Sequence, residues 1–221
     1  MKKLTILFIF LTTILNSQKL PDTSETKIVR NFFSFVPADV DRINGLSFGA
    51  WAANLKSDKD SLKVNGMNLE INPVILFIYA RGAIFPLDID NDSAFLESRK
   101  YNIADIDGLN ISIPGYANLD SRINGLCITP LTTCAGEING VSLSSITNCS
   151  YKLNGISICG IYNYSNNLKG LQISLFNNAN KLRGIQLGLF NKSKKLRGFQ
   201  FGLWNKNAKR SLPFINWQFR D

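Results

Sequence analysis

The sequence contains no histidine, which removes the residue most often used as general base and as metal ligand near neutral pH. Its four cysteines, Cys127, Cys134, Cys149 and Cys159, include no pair with zinc spacing, and no phosphate loop occurs. Acids are scarce in the second half: from 177 to 221 the only one is Asp221, against ten lysines and arginines. Long apolar runs are missing as well. The apolar core of the N-terminus, residues 6–15, is too short and wrongly flanked for a membrane-spanning helix. These absences argue for a non-enzymatic chain that carries no cofactor.

What is present is a repeat. Leu-Arg-Gly-Ile-Gln-Leu-Gly-Leu-Phe-Asn at 182–191 returns as Leu-Arg-Gly-Phe-Gln-Phe-Gly-Leu-Trp-Asn at 196–205. Its anchor glycines are Gly45, Gly66, Gly108, Gly125, Gly140, Gly155, Gly170, Gly184 and Gly198, with steps of 21, 42, 17, 15, 15, 15, 14 and 14 residues. The step of 42 has room for one degenerate copy. An aliphatic residue stands two places before every anchor, from Ile43 to Leu196. Such self-similarity means that each copy is one unit burying its apolar side chains on its neighbours.

After each glycine the pattern has period two. Ile185, Leu187 and Leu189 alternate with Gln186 and Gly188, and Phe199, Phe201 and Leu203 alternate with Gln200 and Gly202. Each unit is therefore a half-buried strand whose aliphatic face is expected to supply the core, followed by turn residues rich in Asn, Ser and Lys.

The fold class is all-β, a β-solenoid of ~14–15-residue coils; the alternative is an up-and-down outer-membrane β-barrel. Three residue patterns favour stacking. Asn177, Asn191 and Asn205 share one register and would form an amide ladder along the stack. Cys134 and Cys149 share another, which makes them the disulfide candidate, whereas Cys127 and Cys159 fall two coils apart. The glycines read as bends and not as hairpin tips, because Lys169, Arg183 and Arg197 precede the later ones and tolerate positive φ poorly. Pro114 and Pro130 are expected to distort their units.

Residues 1–17 have the charged start, apolar centre and small terminal residue of a signal peptide. Residues 18–30 read as a polar leader, and 31–221 as one β-repeat domain. Within it lie an apolar run at 73–80 expected as a buried strand, an irregular insertion at about 84–105, and an aromatic C-terminal cap at 211–221. Phe32, Phe33 and Phe35 suggest an N-terminal cap or a first irregular strand. Asp88, Asp90 and Asp92 have a spacing that could gather carboxylates on Ca²⁺, but Ser93 and Arg99 stand where an EF-hand wants Gly and Glu, so a solvated loop is favoured.

The net charge of +9 is concentrated at the C-terminus. Stacked turns would align Lys192, Lys194, Lys195, Lys206, Lys209 and Arg210 as an edge for an anionic glycan or lipid of the cell envelope, or as solubilising turns that block edge pairing. Nucleic acid is not expected as a partner of an exported chain. Among the units' few acids, Asp107 and Glu137 are the main candidates for a carboxylate pair across copies.

The units at Gly170 (Gly-Leu-Gln-Ile-Ser-Leu-Phe-Asn) and Gly184 (Gly-Ile-Gln-Leu-Gly-Leu-Phe-Asn) resemble the exported surface-repeat proteins of the spirochaete type, also widespread in other Gram-negative bacteria. The likeness is strongest from 155 to 217, weaker from 45, and absent at 88–100. Many members are lipoproteins, and no cysteine follows residue 17 closely enough to match them there. The resemblance implies placement at the cell surface or in the periplasm. The expectation is an exported binding or structural module, with a small integral outer-membrane barrel as its competitor.

Overall fold

A computed structural model describes residues 27–54, 61–73, 75–76 and 104–219. Among the described residues eleven strands follow one another: β1 (Val29–Ala38), β2 (Arg42–Asn54), β3 (Leu62–Ile71), β4 (Ala104–Ile113), β5 (Tyr116–Thr129), β6 (Thr132–Ser144), β7 (Thr147–Cys159), β8 (Tyr162–Ile173), β9 (Phe176–Leu187), β10 (Phe190–Lys206) and β11 (Ser211–Gln218). They form one sheet in sequence order. Every pairing from β1 to β10 is parallel, and only β11 folds back antiparallel on β10. A strand that pairs in parallel with the strand before it must be reached by a full turn of chain, so each repeat is one coil of a β-solenoid. The up-and-down barrel, which requires antiparallel neighbours, is set aside.

Register at the anchor glycines is kept from coil to coil. Gly45 pairs with Gly66, Gly66 with Gly108, Gly108 with Gly125, and so on to Gly184 with Gly198. Because Gly66 and Gly108 are direct partners, the 42-residue step adds no coil between them. All nine glycines have φ between +132° and +143°, and each sits inside a continuing strand as a bend. At Gly155 a Cβ would lie 1.9 Å from the carbonyl oxygen of Gly140 one coil below. Stacking at this corner therefore demands glycine twice over, for its dihedral and for the closeness of backbone to backbone.

The core differs from the expectation in one decisive respect. The aliphatic residues two places before the glycines are buried, each no more than 1% exposed from Ile43 to Leu196. After the glycine, however, the polar residues point inward and the aliphatic ones outward. Gln172, Gln186 and Gln200 are fully buried, while Ile185 and Phe201 are each 37% exposed. The reason is parity. Positions two before, two after and four after the glycine share one side of a strand, so the inward aliphatic column carries the polar column inward with it.

Stacking makes that polar interior tolerable. The Gln200 amide donates to Gln186 Oε1 at 2.8 Å and the Gln186 amide to Gln172 Oε1 at 2.9 Å. A second column crosses the interior: Asn163 donates to Asn177, Asn177 to Asn191 and Asn191 to Asn205, at 3.3, 2.9 and 2.8 Å. The expected amide ladder is thus present, but inside the molecule and within strands. The same Asn177 and Asn191 amides also reach the carbonyls of Leu187 and Phe201, each at 2.8 Å, tying the two arms of a coil together.

Other boundaries shift. Pro114 and Pro130 fall just after β4 and β5 in the short connections, and the irregularity near them lies inside β5, whose pairing with β6 shifts register between Asn118 and Arg122. Strand β1 begins at Val29, inside the expected leader, and pairs in register with β2 as a first coil. In the run at 73–80, the described residues Pro73, Ile75 and Leu76 are not strand, and Ile75 is buried beside Gly115. Strand β4 starts at Ala104, within the last two positions of the expected insertion, the rest of which lies outside the described residues. Residues 1–26 and 77–103, with Asp88, Asp90 and Asp92, lie outside the described residues.

Candidate binding surface

Turning the polar residues inward leaves an apolar outer face along the arm that follows each glycine. Register aligns two columns on it without interruption. One runs Phe33, Leu46, Met67, Leu109 and onward to Phe199 and Trp217; the other runs Phe35, Phe48, Leu69, Ile111 and onward to Phe201 and Ile215. No position in either column is polar or charged. At ~4.8 Å per strand the face extends roughly 48 Å. Aromatic rings gather at both of its ends, Phe33, Phe35 and Phe48 at the N-terminal one and Phe199, Phe201 and Trp217 at the C-terminal one. Phe199 and Phe201 stack at 5.8 Å, and at the neighbouring corner Phe176 and Phe190 stack at 5.2 Å with Trp204 next in line. Sequence reasoning grouped these side chains correctly but assigned them to the core; the even spacing between the inner aliphatic column and the Gln column was the signal available.

The residue just before each glycine also points outward, at the corner that borders this face. In the first coils it is an amide chain: Asn65 donates to Asn44 and Asn44 to Asn31. A second run links Asn154, Asn139, Asn124 and finally Asp107 at 2.6 Å. In the last coils the same column becomes Lys169, Arg183 and Arg197, all exposed and register partners of one another. No acidic residue occurs between Glu137 and Asp221.

The expected cationic edge is placed differently. Lys192, Lys194 and Lys195 lie exposed in the first arm of β10, with Lys192 opposite Asn178 and Lys195 opposite Lys181, not on a stack of turns. Lys206 ends β10, and Lys209 and Arg210 belong to the link to β11. Arg210 lies over the Trp217 ring at 4.7 Å and donates to Asn216 at 2.9 Å and to the Trp217 carbonyl. A shallow groove beside it is lined by Lys209, Arg210, Trp217, Gln218 and Phe219.

The acids of the units do not form a pair. Asp107 binds Lys63 at 3.0 Å, and the Asn124 amide, helped by that ammonium, lowers its carboxyl below the ordinary range. Burial pushes Glu137 up, but Lys152 at 2.9 Å and Arg122 at 3.6 Å bring it down on balance. Among the described residues no group of three or more Cys, Asp and Glu is placed to hold a metal ion. Cys134 and Cys149 are register partners as anticipated and are free, buried thiols; burial, with the Cys134 thiol alongside, raises Cys149 well above its usual value. Cys127 and Cys159 face the interior on separate coils, the former pushed up to about 11 by burial.

Two features escaped the sequence reading. Gly45, Ser47 and Gly49 have the spacing of a nucleophile elbow, but Ser47 is fully buried in β2 and donates to Asn68 Oδ1 at 2.7 Å. Glu70 is buried near the base of the stack, accepting from Asn72 at 3.0 Å and from Ser112 at 3.4 Å. Nothing in its alternating segment marks it as inward except the same parity. No protein-family model, curated protein or solved structure matches the chain.

Proposed function

We propose that this protein is an exported, non-enzymatic β-solenoid that serves at the cell surface or in the periplasm as a binding or structural module. The observation that carries this reading is the outer face itself: two unbroken apolar columns across eleven strands, on a molecule that turns its Gln172–Gln200 and Asn163–Asn205 columns inside. Such a surface offers a broad, continuous area of contact. The N-terminal residues 1–17 support export by their pattern, and the resemblance of the 170–205 units supports the envelope as destination. An anionic glycan or lipid suits the cations of the last coils, among them Lys192, Lys194, Lys195, Lys206, Lys209 and Arg210. The integral barrel is disfavoured as a reading because its strands would have to pair antiparallel around a closed ring.

The test is fractionation of a Gram-negative host expressing the chain with and without residues 1–17. The full chain is expected in the envelope or periplasm and the shortened chain in the cytoplasm. Recovery of both in the cytoplasm would refute export.

A further inference from the structure

Deepening that reading, we propose that the apolar outer face lies on an anionic lipid bilayer, with the corner cations Lys169, Arg183 and Arg197 set against lipid phosphates. Three observations converge. The face is continuous, about 48 Å long by strand spacing, and free of charge along both columns. Its C-terminal end ends in Phe199, Phe201 and Trp217, and large rings of this kind favour the boundary between headgroups and acyl chains. Beside that same end the bordering column is cationic, whereas the border of the earlier coils is an amide chain. Cations flanking an apolar surface are the arrangement of peripheral proteins that rest in the interfacial plane, where each Lys or Arg adds ~1 kcal/mol of attraction to anionic lipid.

Charge selects the bilayer over a second copy of the chain. A copy packed on this face would need carboxylates opposite the cationic border, and the bordering column of the earlier coils offers one, Asp107, already bound to Lys63 at 3.0 Å. A sheet of lipid phosphates supplies that charge all along the border.

The probes are vesicles of phosphatidylcholine alone and of phosphatidylcholine mixed equally with phosphatidylglycerol. The full chain is compared with an apolar-face variant, Ile185→Ser with Phe201→Ser, and a border variant, Lys169→Gln with Arg183→Gln and Arg197→Gln. All altered side chains are outward and partly or fully exposed, and thermal unfolding of each variant checks that the stack is intact. Expected are cosedimentation with the anionic vesicles only, a blue shift of tryptophan emission on binding, and a drop of at least roughly tenfold in affinity for each variant. Added salt should weaken the parent and leave little further effect on the border variant. Equal binding to both vesicle types, or unchanged binding by both variants, would overturn the proposal. So would a lipid-free dimer abolished by the face variant, which would make a second copy the occupant. Envelope association in cells without vesicle binding would refute the bilayer contact alone and leave the module reading standing.

Discussion

Single positions carry unequal weight in this stack. Gly198 has φ of +140°, and a Cβ there would lie 1.9 Å from the carbonyl oxygen of Gly184. Gly198→Ala is expected to cost on the order of 4 kcal/mol, read as a lowered urea midpoint, because neither dihedral nor contact can relax without moving the coil below. Asn191 donates to Asn205 and to Phe201 and accepts from Asn177. Asn191→Ala orphans groups on Asn177, Phe201 and Asn205, and a loss of roughly 3 kcal/mol is expected in the same measurement. Glu70 gives the stack a pH dependence. Burial outweighs its hydrogen bonds and raises the carboxyl from 4.5 to about 7. The folded protein then holds this proton more tightly than the unfolded chain, so the contribution is complete below about 4.5 and is lost as pH rises through about 7. Thermal melts should show Glu70→Gln flattening that decline, with a gain of up to about 3 kcal/mol above neutrality.

At the scale of the strand and its turn, the sequence was readable where spacing alone decides and misleading where polarity was consulted. Fixed spacing of the glycines marked the coils, and the shared registers of Asn177 with Asn191 and of Cys134 with Cys149 were right because a parallel stack places like on like. The facing of the second arm was misjudged. Hydrophobicity predicts Ile185 inside and Gln186 outside, but a stacked amide finds its partner in the coil above, which removes most of the burial penalty that such a prediction assumes. The cationic edge was misplaced for a related reason: Asn191 and Lys192 look like turn residues and are strand. Strand β11 shows what an end requires. Its Asn216 amide donates to Gln200 Oε1 at 3.0 Å, closing the Gln column, and its backbone occupies the open edge of β10. Truncation before Ser211 should expose that edge, with concentration-dependent oligomers expected in analytical ultracentrifugation.

On the scale of the molecule, stability is a sum over neighbouring coils, since most contacts join each strand to the next. Removal of one interior copy, such as residues 182–195, should therefore leave a folded, shorter stack; circular dichroism that retains its strand signal would confirm it, and loss of cooperative melting would oppose it. The Gln and Asn columns would rejoin across the cut because Gly170 would meet Gly198 at the register that Gly184 holds now. The molecule's reach is then a ruler graduated by copy number: each duplication lengthens it by one strand spacing and lengthens the apolar face by the same increment. Tandem duplication in the coding sequence could thus tune the size of the contact area without inventing a new side chain.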